Sequence, residues 1–157
     1  MHIRKAVEKD YKRVNELLIQ VNQLHHEGRK DLFKAGGKKY SDDDFKKLIH
    51  DENRPIFVAV NENDEVFGYA FCIFRQFINH PIMTDIKTLY IDDLCVDETY
   101  RGQHVGTNLY HYVVDFAKKN GCYNLTLNVW CLNENAMKFY ESLGLQPQKI
   151  GMETLLK

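Results

Sequence analysis

The run from Thr88 to Thr107 restricts the fold more than any other stretch of the chain. Thr88-Leu89-Tyr90-Ile91-Asp92-Asp93-Leu94-Cys95-Val96 is mostly apolar, which suits a central strand covered on both faces. A polar loop follows, Asp97-Glu98-Thr99-Tyr100-Arg101-Gly102-Gln103-His104, and after it Val105, Leu109, Tyr112, Val113 and Phe116 recur at helical spacing. A buried strand, a compact loop and a helix start leave unpaired N–H groups and the positive end of a helix dipole facing one point. That arrangement suits a pyrophosphate. The glycines Gly102 and Gly106 match neither of the two common phosphate-loop signatures, so a plain strand-to-helix turn is the competing reading.

The flanking segments predict a mixed α/β domain. Ile3 opens a short strand, and Val14, Leu17, Leu18, Val21 and Leu24 form one face of an amphipathic helix. The polar stretch from His25 to Tyr40, with Gly28, Gly36 and Gly37, reads as a mobile connection. Ser41 before Asp42-Asp43-Asp44 reads as a helix N-cap, with attraction of a cationic substrate as the alternative use of those acids. Ile56–Val60 and Val66–Phe74 flank the turn-rich Asn61-Glu62-Asn63-Asp64 and predict an antiparallel hairpin. Downstream, Leu125, Leu127 and Val129 alternate with polar residues as in a half-buried strand, and a short helix runs from about Asn135 to Ser142. Met152 and Leu155 fall in an expected closing strand. The whole is expected to be one domain, residues 1–157, with a twisted sheet of about six to seven mixed strands and helices on both faces.

Charge and cysteines narrow the function classes. Lys and Arg number 21 against 22 for Asp and Glu, and this balance argues against a protein that grips nucleic acid. Cys72, Cys95, Cys122 and Cys131 form no C-x-x-C pair and read as free thiols, so neither disulfides nor a metal centre is expected. No apolar run approaches membrane-spanning length, and the N-terminus carries no hydrophobic signal core. A soluble cytoplasmic protein without membrane or nucleic-acid partners is expected, and a homodimer is compatible with this reading.

Two motifs carry a family resemblance. Leu94-Cys95-Val96 followed by Tyr100-Arg101-Gly102-Gln103-His104-Val105-Gly106-Thr107 resembles the coenzyme A-binding motif of the GNAT acetyltransferases, with Arg101 at its first position and Gly106 at its last. His104 departs from the motif by standing where an inner glycine is expected, and glycine normally permits close backbone approach. Asn133, Ala136, Tyr140 and Gly144 are similar to the second family segment, at spacings of three, four and four. The motif around Asp92 is also similar to that of diamine acetyltransferases, whereas the first half of the chain matches that subfamily poorly.

The resemblance implies a GNAT-like fold in which two central parallel strands splay apart around acetyl-coenzyme A. Leu94, Cys95 and Val96 would hold the pantetheine arm through strand backbone. Arg101, Gly102, Gln103, His104, Val105, Gly106 and Thr107 would hold the pyrophosphate, with Asn133, Asn135, Ala136 and Tyr140 on the other side of the cofactor. An alkyl amine must lose a proton before it can attack a thioester. Asp92 is the first candidate to accept that proton and Asp93 the second. Strand alternation sets the two on opposite faces, and a simple ion pair with Lys or Arg is the competing role for either. Tyr140 would protonate the departing thiolate. His26 could line the acceptor pocket, with a partly exposed helix-end histidine as its other reading. The implied activity is acetyl transfer to a primary amine of a small cationic molecule, a polyamine or an aminoglycoside-like aminosugar. A peptide N-acetyltransferase and a non-catalytic coenzyme A-binding module are the alternatives.

Overall fold

The computed structural model describes residues 1–156. Strand β1 (His2–Lys5) leads through a 3-10 turn at Glu8–Asp10 into helix α1 (Tyr11–Gly28), and an irregular connection then reaches α2 (Asp42–Ile49). Next come β2 (Ile56–Val60), β3 (Val66–Gln76) and β4 (Lys87–Val96). A second 3-10 turn, Glu98–Tyr100, precedes α3 (Val105–Lys119), followed by β5 (Asn124–Leu127) and α4 (Glu134–Ser142). The sheet runs β1-β2-β3-β4-β5, antiparallel except for the parallel β4–β5 pair.

Two apolar layers sandwich the sheet. On one face Val14, Leu17 and Leu18 of α1 and Phe45 of α2 pack on Val58, Tyr69 and Phe71. On the other, Val105, Leu109, Val113 and Ala117 of α3 pack on Phe57, Ala70, Leu89 and Ile91. The helical periodicity of α3 thus marks its buried stripe, whereas in α1 the stripe ends early, because Leu24 is 52% exposed. Gly68 lets α3 approach β3 closely: a Cβ there would lie 3.1 Å from Leu109 Cδ1 and 3.2 Å from the Cys95 carbonyl oxygen.

Local chemistry sets several element ends as expected. Ser41 Oγ accepts from the Asp44 N–H at 3.1 Å, and Asp44 reaches back to the Ser41 N–H at 3.3 Å, a reciprocal cap for α2. Gly121 (φ +72°) follows the end of α3, where a left-handed residue closes the helix. Among the described residues five strands form, rather than six or seven. Val129 falls beyond β5, and residues 145–156 run without regular structure, with Ile150, Met152 and Leu155 exposed, so the expected closing strand is absent.

Candidate active site

The decisive irregularity lies in β4. Ile91 pairs with Cys72 and Asp93 with Phe71, which leaves Asp92 as an extra residue without a partner. This β-bulge resets the alternation of the strand. Ile91 and Leu94 belong to the α3 face, whereas Cys95 packs on the α1 face. Asp93 joins Cys95, for it accepts a hydrogen bond from Tyr69 Oη at 2.8 Å. Asp92 turns to the same face: it pairs with Lys39 at 3.3 Å and lines a hollow with Tyr40 and Phe71. The opposite-face arrangement expected from strict alternation is therefore corrected by one inserted residue.

The bulge also marks where the parallel pair opens. The β4–β5 ladder runs from Thr88–Asn124 to Ile91–Leu127 and stops there. Residues 93–96 of β4 stay paired with β3 but have no β5 neighbour, so one backbone edge faces a gap. Leu94, Cys95 and Val96, expected to hold the pantetheine arm, form that edge.

At the far end of the gap the phosphate-loop candidates meet the start of α3. The first α-helical bond of α3 runs from the Asn108 N–H to the His104 carbonyl, so the amides of Val105, Gly106 and Thr107 have no acceptor within the helix. His104 sits at the N-cap with φ +61° and ψ +21° and makes no side-chain cap bond. Histidine is one of the few side chains enriched in this left-handed region, which is how it replaces the expected glycine. Its side chain is exposed, as are those of Arg101 and Gln103, and Gly102 (φ +82°) has open space where a Cβ would be. The turn that leads into the loop is anchored through Asp97. Asp97 accepts from the Thr99 N–H and Oγ1, both at 2.9 Å, and from Arg13 of α1, which also donates to the Val66 carbonyl at 3.0 Å. Unpaired helix-start amides, an exposed arginine and a free strand edge fit coenzyme A, whose pyrophosphate and amide-bearing arm need those groups.

Tyr140 reaches the gap from α4. Burial, followed by the nearby Asp93, Cys95 and Tyr110, raises its phenol well above the ordinary value, so it stays protonated at neutral pH. Gly106 lets α4 come close to α3, because a Cβ there would lie 3.2 Å from Phe139 Cζ. Asn133 spends its side-chain oxygen on the Ala136 N–H at 3.1 Å, capping α4 beside the gap, and Asn135 is exposed. Asp93 is held above the usual carboxylate range, chiefly by burial, against the opposing pull of Tyr69 and Lys39. Burial likewise pushes the Cys95 thiol up to about 12, so it is no nucleophile at neutral pH.

On the acceptor side, His26 Nδ1 lies 2.7 Å from the Phe33 carbonyl and ties the 29–40 connection to α1. Its neighbour His25 stacks on Phe33 at 5.0 Å and lies within electrostatic reach of Asp93. Lys39, Tyr69 and His25 are site residues that sequence reasoning missed. Only Tyr69 carried a signal, since it alternates with Phe71 on one face of β3. All four cysteines are free, from the buried Cys72 to the exposed Cys131. Among the described residues, no cluster of His, Cys, Asp and Glu could hold a metal, and no helix is long and apolar enough to cross a membrane.

Comparison with known proteins bears on this site. A family model described as the acetyltransferase (GNAT) family matches residues 18–145. N-alpha-acetyltransferase 30 of Schizosaccharomyces pombe is 32% identical over 131 residues, covering 81% of this chain and 83% of that protein. Thialysine N-epsilon-acetyltransferase of Bos taurus is 37% identical over 60 residues, covering 38% of this chain but only 35% of the bovine protein. The crystal structure of a point variant of the BH1408 protein from Bacillus halodurans superposes with a TM-score of 0.95 at 33% identity, covering 100% of both chains. The motif around β4 and α3, the opened parallel pair and these matches agree: the chain belongs to the GNAT acetyltransferase family.

Proposed function

We propose that the protein is an N-acetyltransferase that uses acetyl-coenzyme A to acetylate a primary amine on a small cationic molecule of polyamine or aminosugar type. The observation that carries this reading is the bulge at Asp92. It opens the β4 edge toward the cofactor side and turns two carboxylates toward the acceptor side at the same point. Acetyl-coenzyme A supplies the activated acetyl group. The amides at the start of α3, with Arg101, would hold its phosphates, and the 94–96 edge would align its arm.

The chain's own groups divide the proton work. Asp92, partly exposed and already paired with an ammonium, attracts the cationic amine. Asp93, half-buried and held above the usual carboxylate range, is the better base, because a general base works best with a pKa nearer the operating pH. This reverses the order in which the sequence ranked the two. Tyr140 Oη, kept protonated by burial, donates to the leaving sulfur.

The coverage of the Schizosaccharomyces pombe relative favours a second reading, acetylation of a peptide amine. Against it, the 29–40 connection is pinned over the acceptor side by His26 and by Arg29, which bonds Asp31 at 2.9 Å and Glu153 at 2.6 Å. A peptide would need an open groove there. The test is a panel of polyamines, aminosugars and peptide N-termini assayed with acetyl-coenzyme A by thiol release. Turnover of a small amine supports the first reading, and turnover of peptides alone refutes it. Acetyl-coenzyme A should also raise the melting temperature, as any ligand of the folded state does, and NAD should not.

A further inference from the structure

Lys39 brings a primary alkylammonium to the two site carboxylates. Its Nζ lies 3.3 Å from Asp92 Oδ2 and 5.5 Å from the centroid of the Tyr40 ring, and its side chain is 37% exposed. Asp93, on the same face of β4, adds a weaker electrostatic pull on the same ammonium. The other cations nearby do not share this position. Lys38 lies over the Tyr11 ring at 5.4 Å, and the Arg54 guanidinium pairs with Asp51. A neutral amine forms from lysine far more readily than from arginine.

The pairing has a plain alternative, an incidental surface ion pair. Two features weigh against it. The bulge turns Asp92 and Asp93 to one face, and Lys39 reaches Asp92 there from a connection 53 positions away in sequence. Lys39 also belongs to the 29–40 connection, whose backbone is tied to α1 on either side of it: the Gly37 carbonyl accepts from Asn22 Nδ2 at 3.3 Å and the Tyr40 carbonyl from Tyr11 Oη at 2.8 Å. Partly exposed pairs of this kind contribute at most about 1 kcal/mol, so a free amine could displace the lysine at little cost.

We infer that Lys39 occupies the acceptor's ammonium subsite in the resting protein and is itself acetylated on Nζ when acetyl-coenzyme A is bound and no free amine competes. This rests on the acetyl-transfer reading above. The Nζ–C bond forms as the thioester C–S bond breaks, and the electron pair of that bond goes to sulfur. Of the two protons the ammonium loses, one passes to Asp93 and on to solvent. The other replenishes Tyr140, which has protonated the sulfur. Acetylation removes the lysine charge, so Lys39 then no longer competes for Asp92.

The test is to incubate the purified protein with acetyl-coenzyme A alone and map acetyl groups by peptide mass spectrometry. The inference expects acetyl-Lys39 ahead of Lys30, Lys34 and Lys38, suppression of that label by added spermidine, and label formation slowed about 10²-fold or more in Asp93→Asn. Lys39→Met should lower the KM for spermidine several-fold, since the tethered competitor is gone. Equal labelling of the four lysines, unchanged in Asp93→Asn, would mean unassisted surface acetylation and overturn the inference. Spermidine turnover without any label on Lys39 overturns it too, while leaving the acetyltransferase reading intact. Absence of turnover together with absence of a thermal shift by acetyl-coenzyme A would sink both.

Discussion

Tyr69 Oη donates a 2.8 Å hydrogen bond to Asp93 Oδ2, joining neighbouring strands at the point where β4 bulges. The bond fixes the rotamer of a carboxyl that burial disfavours in its charged form. Tyr69 itself is fully covered, and burial followed by the proximity of Asp93 raises its phenol well above the ordinary value, so it remains the donor.

Asp93 therefore links stability to pH. Folding raises its pKa, so its contribution to stability is fully present below the unfolded value, about 4. That contribution is lost as pH rises through the higher folded value. In Asp93→Asn the linkage disappears. The melting temperature of the variant relative to wild type should climb as pH increases from about 4 toward neutrality, measured by thermal unfolding in matched buffers. A constant difference across that range would show that Asp93 titrates as in water. Amine acetylation by the same variant should fall by about 10²–10⁴-fold.

Tyr140→Phe keeps the ring that packs against Phe139 at 5.0 Å and removes only the hydroxyl. Stability should change little, while kcat falls by about 10²–10⁴-fold when thiolate departure limits the rate. The KM for acetyl-coenzyme A should move much less, because the amides of α3 are untouched. Single-turnover kinetics decide the matter if product release is slow: equal rates of chemistry in both proteins would leave Tyr140 as packing alone.

His104→Gly relieves a non-glycine residue held at φ +61°. A left-handed conformation costs about 1–2 kcal/mol for most side chains, and glycine gives back part of that gain through its greater unfolded freedom. Net stabilisation of about 1 kcal/mol or less is expected in urea unfolding. Because the side chain is exposed and makes no cap bond, the Kd for coenzyme A should change by less than about tenfold. A large loss of affinity would mean that the imidazole contacts the ligand.

Asp10→Ala probes the fold away from the site. The Asp10 carboxylate is 2% exposed, accepts from two Arg4 nitrogens at 2.8 and 3.0 Å, and accepts from the Val7 N–H at 2.8 Å. Removing it leaves the Val7 amide without its acceptor, while Arg4 keeps Asp64 at 3.1 Å and the Lys5 carbonyl at 3.0 Å, so a loss of about 1–3 kcal/mol is expected in denaturant unfolding. The folded fraction should retain its KM for the amine.

Much of this protein follows from local sequence, because local sequence controls local periodicity. The apolar stripe of α3, the reciprocal cap at Ser41, the hairpin around Asn61–Asp64 and the glycine ends of α3 and α4 each depend on residues within a few positions of one another. The candidate cofactor loop was legible for the same reason, since strand, loop and helix start are contiguous. The tertiary structure decided the rest. Whether Asp92 and Asp93 share a face depends on how β4 registers against β3, and a single inserted residue in a distant pairing overrules the two-residue alternation that sequence can show. Among the described residues the sheet has five strands, and the tail after α4 stays off its free edges, which the apolar composition of the tail could not reveal. Lys39 meets Asp92 across 53 positions of sequence, and only folding α1 and its connection over the sheet brings that ammonium to those carboxylates.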